Sequence, residues 1–201
     1  MHNGEFLTGR TAGLRRAEVA PATQAGLSNG VEGMGSEAKI KVGGIMASTG
    51  LATVSILSIP DRPDVTGTIL HAMGKQNINI EFIVLTADIE GSGNMTFCID
   101  QKYLEEAIEV LEKAKPLIEA KGISYQPNVA MISVFGPHFR ERPMISGLMF
   151  HALGSAGINV LAISTSISSC CCLIQANEIE DAMRVLHETF EAPHQVTKFA
   201  P

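Results

Sequence analysis

A block of this chain occurs twice, and any fold the chain adopts has to use that block twice. His71-Ala72-Met73-Gly74, three spacers and Ile78-Asn79-Ile80 return eighty residues later as His151-Ala152-Leu153-Gly154, three spacers and Ile158-Asn159-Val160. Pro63 maps onto Pro143 and Gly67 onto Gly147 at the same offset. A second echo, Leu104-Glu105-Glu106-Ala107 with Val110-Leu111, returns as Ile179-Glu180-Asp181-Ala182 with Val185-Leu186, seventy-five residues on, so one loop is five residues shorter in the second copy. Two copies of this size point to paired small domains and not to a solenoid, which stacks three or more repeats.

Within each copy the hydrophobic periods alternate. Residues 51–59 are mostly apolar and β-branched and end at Pro60-Asp61-Arg62-Pro63, a strand and a turn. Asp64 follows Pro63 at a helix start, where an acidic residue is favourable. Val65, Ile69 and Met73 then share a helix face that ends near Gly74. Residues 78–85 and 95–99 read as strands joined through Gly91-Ser92-Gly93-Asn94. Leu104, Ala107, Ile108 and Leu111 mark a second helix, which Pro116 should kink or break. Gly122 leads into a last strand at 123–125. The second copy follows suit: strand 129–135, helix 143–154, strands 158–166 and 170–175, then a helix on Ile179, Ala182, Met183, Leu186 and Phe190, with 195–199 as a last strand. The β-α-β-β-α-β order predicts an α+β chain of two ferredoxin-like sandwiches with antiparallel sheets. Their unpaired edges call for the sheets to be joined edge to edge. Residues 40–46 are one more candidate edge strand. The expected division is a flexible leader or linker at 1–38, a first domain at 39–127 that includes this strand, and a second at 128–201. Seven scattered glycines and no periodicity support the leader. A transit peptide, a cloning remnant or the end of an upstream domain stay open for it.

Charge and cysteine content narrow the class. The formal charge of −6 argues against nucleic acid, whose phosphates demand a basic surface. No run of eighteen apolar residues is present, so no membrane span is expected. Cys98 and Cys170-Cys171-Cys172 show no metal-type spacing and read as small strand hydrophobes in a reducing, cytoplasmic setting. His71 and His151 sit in matching helices without acidic neighbours at ligand spacing, so neither metal nor cofactor is expected.

Several runs resemble the two ACT domains of aspartokinase. Ala52-Thr53-Val54-Ser55-Ile56, Ile59-Pro60-Asp61-Arg62-Pro63 and Asn77-Ile78-Asn79-Ile80 are similar to the first. Val134-Phe135-Gly136, Arg140-Glu141-Arg142-Pro143, Ala156-Gly157-Ile158-Asn159-Val160 and Ile163-Ser164-Thr165-Ser166 are similar to the second. Leu186-His187-Glu188-Thr189-Phe190 looks like the family's terminal helix and Gly44-Ile45 like the strand before the first copy. The resemblance, over about residues 40–192, implies a regulatory module of aspartate-family biosynthesis (lysine, threonine, methionine). It would bind an amino-acid effector, typically threonine or lysine, and signal to a kinase. It implies a homodimer or a hetero-oligomer with a kinase subunit. No phosphate-binding Gly-rich motif precedes the match, so a kinase domain is not expected within the chain, and a regulatory subunit, a fragment or a stand-alone relative is.

The physics of a helix start fits such a site. Unpaired N–H groups at the 61–66 turn attract a carboxylate, and Asp61 or Asp64 can accept an ammonium. The resemblance implies a ligand between this turn (Asp61, Asp64, Val65, Thr66), Leu85, and the Ser146 and Asn159-Val160 region of another copy. Each residue also has an ordinary role: Asp61 and Asp64 as turn formers, Asn79 and Asn159 as caps at strand entry, Thr165 and Ser166 as strand residues. The family has Pro-Gly where this chain has Pro63-Asp64 and Pro143-Met144, and Gln-Asn where it has Leu85-Thr86. Lost feedback, another effector, and an apolar pocket around Leu85 suited to leucine or methionine are all compatible with these changes. A ligand-free dimerisation or scaffold module is the alternative. An enzyme or thiol protein on the same fold is a third reading, for which no nucleophile–base pair stands out.

Overall fold

In the computed structural model, residues 39–89, 91–137, 139, 144–193 and 198–199 are described. The expected leader at 1–38, the turn at 140–143 and the start of the expected tail strand at 195–197 lie outside them.

Two long strands organise the chain. β1 (Ile40–Lys41) is a short preface to β2 (Gly44–Pro60), which covers in one run what the sequence divides into an edge strand and a first-copy strand. β5 (Gly122–Phe135) likewise fuses the last strand of the first copy to the first strand of the second. The two pair antiparallel along their length, from Gly44 opposite Phe135 to Leu57 opposite Gly122, with register shifts on either side of Leu51. The glycine at Gly50 takes φ +75 and Asn128 takes φ +57, conformations that re-aim a strand without ending it. Pro127, which has no N–H to give to a ladder, sits beside that bend.

The other elements hang on this pair. α1 (Pro63–Lys75), β3 (Phe82–Ala87), β4 (Ser92–Asp100) and α2 (Leu104–Ile118) complete the first half. α3 (Met144–Ser155), β6 (Ala162–Thr165), β7 (Ser169–Gln175) and α4 (Ile179–Thr189) complete the second. The sheet runs β3-β4-β2-β5-β7-β6. Each half thus holds a four-strand ferredoxin-like order, and β2 and β5 belong to both. The fourth-strand place of the second half is filled by residues 44–48, which the sequence division assigns to the first. The halves are continuous through shared strands, a tighter union than lateral pairing of two finished sheets. β8 (Phe190–Glu191) pairs parallel with β1, and β9 (Lys198–Phe199) adds in parallel to β2 at Ala47 and Ser48.

Side-chain alternation along the strands makes three cores. Val54, Ile56, Met95, Phe97 and Ile99 point to Val65, Ile69, Met73, Ala107, Leu111 and Ile118 of the first-half helices. Ile132, Val134, Cys170, Cys172 and Ile174 point to Ile145, Met149, Leu153, Ala182 and Leu186 in the second half. Leu51, Phe82, Cys98, Val129 and Leu173 point the other way and pack the helix-free faces together. Full burial of one such aliphatic side chain contributes about 1.5–3 kcal/mol.

Several boundaries differ from the sequence reading for identifiable reasons. α1 ends past Gly74, at Lys75, and the reversal falls at Asn77 (φ +56), with Gly157 (φ +75) at the matching place after α3. Ile78 and Ile158 then hook back under their helices, their N–H groups donating to Met73 and Leu153 carbonyls, so β3 and β6 begin later than the apolar runs do. Pro116 neither kinks α2 early nor splits it. It lies in the last turn, which closes at Glu119 in the left-handed conformation (φ +52). Asp64 supplies first-turn charge but makes no capping hydrogen bond.

The crossing of Gly43 and Gly136 shows how closely β2 and β5 approach. A Cβ on Gly136 would lie 2.9 Å from the Gly43 nitrogen, while one on Gly67 meets nothing within 4 Å. Gly136→Ala is expected to lose about 1–3 kcal/mol of stability through backbone displacement, and Gly67→Ala, inside a helix, to gain about 0.5–1 kcal/mol. Chemical denaturation of the two variants checks both signs.

Candidate functional site

The end of β2 is shaped to present the start of α1. A register shift of β2 against β4, between Ile56 and Ile59, accompanies Ser58 at φ +52, and the Ser58 N–H donates to Asn94 Oδ1 at 2.9 Å. The bulge returns Ile59 to the core at 2% exposure. The Asp61 N–H then donates to the Gly91 carbonyl at 3.0 Å, tying the turn to the β3–β4 hairpin. That hairpin is closed by the Asp88 N–H to the Ser92 carbonyl at 2.7 Å and the Ser92 N–H to Asp88 Oδ1 at 2.9 Å. Gly93 is required there: a Cβ would stand 2.7 Å from the Thr86 carbonyl oxygen.

A small cavity of about 30 Å³ results, lined by Ile59, Pro60, Asp61, Arg62, Val65, Thr66, Leu85, Thr86, Ala87 and Gly93. Four sequence-nominated residues, Asp61, Val65, Thr66 and Leu85, meet in it. Asp64 does not line it. Asp64 pairs with Arg62, its Oδ1 3.4 Å from Arg62 Nε. Arg62 also donates to Glu119 Oε1 at 2.6 Å, joining the helix start to the end of α2. The Glu119 hydrogen bond, with the Asp64 charge beside it, raises the guanidinium pKa. The negative charge of Asp64 is therefore partly offset by a neighbour.

Ser146, Asn159 and Val160 lie in the second half. Ser146 is half-buried in the first turn of α3, and its influence on the Cys170 thiol lowers that thiol's pKa against the larger effect of burial. Asn159 is exposed, and Val160 packs on the second-half core. None of the three lines the cavity at Asp61. At the start of α3 a separate cavity of about 250 Å³ is lined by Lys41, Val42, Gly43, Gly136, Pro137, Phe139 and Ile145. Sequence reasoning did not nominate these residues, nor Ile59, Thr86 and Gly93 at the first cavity. The strand bulge and hairpin contact that gather the latter three leave no periodic signal.

The thiols are packing groups. Cys98, Cys170 and Cys172 are buried, and Cys171, on the opposite face of β7, is half-buried with its Sγ 3.2 Å from the Ser164 carbonyl. Burial raises all four, with Cys98 (Glu81 adding to the effect) and Cys172 pushed up to about 12. No group of three His, Cys, Asp or Glu with metal-site geometry exists among the described residues. No helix among them is long and apolar enough to cross a membrane.

Two βαββαβ halves sharing β2 and β5, with a cavity at a β–α turn, define a tandem ferredoxin-like module. A family model for the ACT domain matches it twice, over residues 54–114 and 132–190, and the chain belongs to that family. Among its relatives is the aspartokinase of Helicobacter pylori, 31% identical over 151 residues, which are 75% of this chain and 36% of that protein. The Thermus thermophilus aspartokinase is 27% identical over 152 residues, 75% of this chain and 37% of that protein. The chain thus spans just over a third of the curated relatives it matches. Its fold is similar to the ligand-free regulatory subunit of aspartate kinase from Thermus thermophilus, with a TM-score of 0.69, 27% identity and coverage of 75% of this chain and 99% of that one. It is also similar to a chain in a crystal structure of aspartokinase alpha and beta subunits, with a TM-score of 0.68, 28% identity and coverage of 74% and 97%. The chain is a tandem ACT module built like these two chains.

The cysteine environment sets an alkaline limit on stability. Unfolded thiols titrate near 9.0, and folded Cys98 and Cys172 near 12. Between those values the folded chain holds protons that the unfolded chain loses, so this contribution is complete below pH 9 and declines as pH rises. Urea unfolding from pH 8 to pH 11 is expected to show a falling stability whose slope is shallower in a Cys98→Ala/Cys172→Ala variant. An unchanged slope contradicts the assignment.

Proposed function

We propose that the chain is an allosteric regulatory module that binds an amino-acid effector at the α1 entrance and signals to a kinase of aspartate-family amino-acid biosynthesis. The observation that carries this reading is the meeting of Asp61, Val65, Thr66 and Leu85 around one cavity at a helix start, within a fold like that of aspartate kinase regulatory subunits. First-turn N–H groups and the helix dipole favour the effector carboxylate. Asp61, at the mouth, accepts its ammonium. A cavity of about 30 Å³ holds only part of an amino acid. The remainder rests against a second surface, for which the Ser146 and Asn159-Val160 region of another copy is the candidate. In this reading the module works in the cytoplasm as a dimer or beside a kinase subunit, and it binds and signals without catalysing. Threonine and lysine, the effectors implied by the family resemblance, are the first to be tried. A ligand-free dimerisation or scaffold role is not favoured by the likeness to regulatory subunits.

Signalling requires the effector to bind two states of the module with different affinity. The Arg62–Glu119 pair gives it a route, because a change at the helix start pulls on the end of α2 and on β5 beyond it.

Thermal unfolding of the chain against all twenty amino acids at millimolar concentration tests the proposal. An effector at about 100 times its Kd adds about 2.7 kcal/mol of stability. A selective rise in Tm is expected, lost in Asp61→Asn and in Thr66→Val with little change in the ligand-free Tm. A flat panel contradicts effector binding.

A further inference from the structure

The lining of the α1 cavity distinguishes between effector side chains. Ile59, Pro60, Val65, Leu85 and Ala87 present apolar groups, and Ile59 and Val65, each 2% exposed, are the buried members. Leu85 pairs with Met95 across β3 and β4, on the sheet face that packs against α1. It is nevertheless 50% exposed, an aliphatic side chain standing at the mouth of the cavity. The polar side chains there are Asp61, Arg62, Thr66 and Thr86, and the Thr86 hydroxyl donates to the Asn94 carbonyl at 3.3 Å. Arg62 is engaged by Glu119 at 2.6 Å and Asp64 at 3.4 Å. Among the described residues, Asp61 is the one carboxylate in the lining.

One carboxylate serves one ammonium, and every amino acid brings an α-ammonium. A lysine side chain would carry a second cation towards Ile59 and Val65, where no second carboxylate among the described lining residues compensates its desolvation. A threonine hydroxyl meets the same apolar surface, at a smaller cost. The space of about 30 Å³ admits only the tip of a side chain.

We infer that the effector of this site carries an uncharged aliphatic side chain, of the leucine, isoleucine, valine or methionine kind, and that Leu85 selects it by covering that side chain at the cavity mouth. This rests on the reading of the cavity as an effector site.

Titration calorimetry and thermal shift on the full chain test it, with leucine, methionine, valine, threonine and lysine as probes. Wild type is compared with Leu85→Gln and with Ile163→Gln, a control at an exposed residue of the second half (45% exposed). Leucine or methionine is expected to bind tightest and lysine weakest. Leu85→Gln is expected to weaken the aliphatic probes roughly tenfold or more with the ligand-free Tm unchanged, and Ile163→Gln to leave them as in wild type. Tighter binding of lysine or threonine by wild type overturns the inference and leaves the effector reading standing. Equal affinities in wild type and Leu85→Gln remove Leu85 as the selecting residue. If Leu85→Gln alters only the sedimentation behaviour, Leu85 is a self-association residue and the inference fails. A null response to every probe in all three chains contradicts the effector reading beneath it.

Discussion

The antiparallel pairing of β2 with β5 is the constraint on which everything else in this structure depends. Each strand spends part of its length in one half of the molecule and part in the other. Backbone hydrogen bonds demand partners wherever they are buried, so neither half can complete its four strands without residues lent by the other. Residues 44–48 close the second half although they precede the first copy in sequence. Residues 122–126 close the first half and run directly on into the second. The bends at Gly50 and Asn128 let two strands do this without stopping, and they turn the helix-free faces towards each other over Leu51, Phe82, Cys98, Val129 and Leu173. The cost of ordering the chain is thereby shared between two repeats too small to bury much surface alone.

The site inherits its geometry from this frame. The cavity lies where β2 leaves the sheet, and its walls are the α1 entrance and the β3–β4 hairpin, joined by the Asp61–Gly91 hydrogen bond. Arg62 ties the same turn to Glu119, from which the chain passes into β5. A ligand that moves the turn therefore acts on a strand that both halves share. In the proposed function, that shared ladder is what the effector biases.

Much of this was legible in the residues. The repeat fixed two βαββαβ units, and the faces Val65-Ile69-Met73 and Ala107-Leu111 were read correctly because helix periodicity is local. The shared strands were not legible, because Gly50 and Pro127 look like strand ends to any local rule. Only tertiary pairing shows that the chain bends there and continues. Ile78 and Ile158 misled for a similar reason: a buried isoleucine after a left-handed residue hooks a helix end and extends no strand. At the candidate cavity Asp61, Val65 and Thr66 lie together because they are near in sequence, Leu85 is brought in by the hairpin, and Asp64 stays outside the lining. Ile59 and Gly93 were missed because a bulge and a close backbone approach leave no pattern in composition. Ser146, Asn159 and Val160, which the family resemblance implies, sit in the other half and do not line this cavity.

Native-state hydrogen exchange tests the shared-strand account most directly, with the amides of residues 51–56 in the first half followed beside those of residues 129–134 in the second. Met149, fully buried in the second-half core, is replaced by alanine to lower stability on that side alone, a change that costs about 2–5 kcal/mol at a buried site. Because β2 and β5 belong to both halves, the exchange free energies of both groups of amides should fall together and by the same amount. A fall confined to residues 129–134, with residues 51–56 as protected as before, would contradict the claim that the two repeats form one cooperative structure.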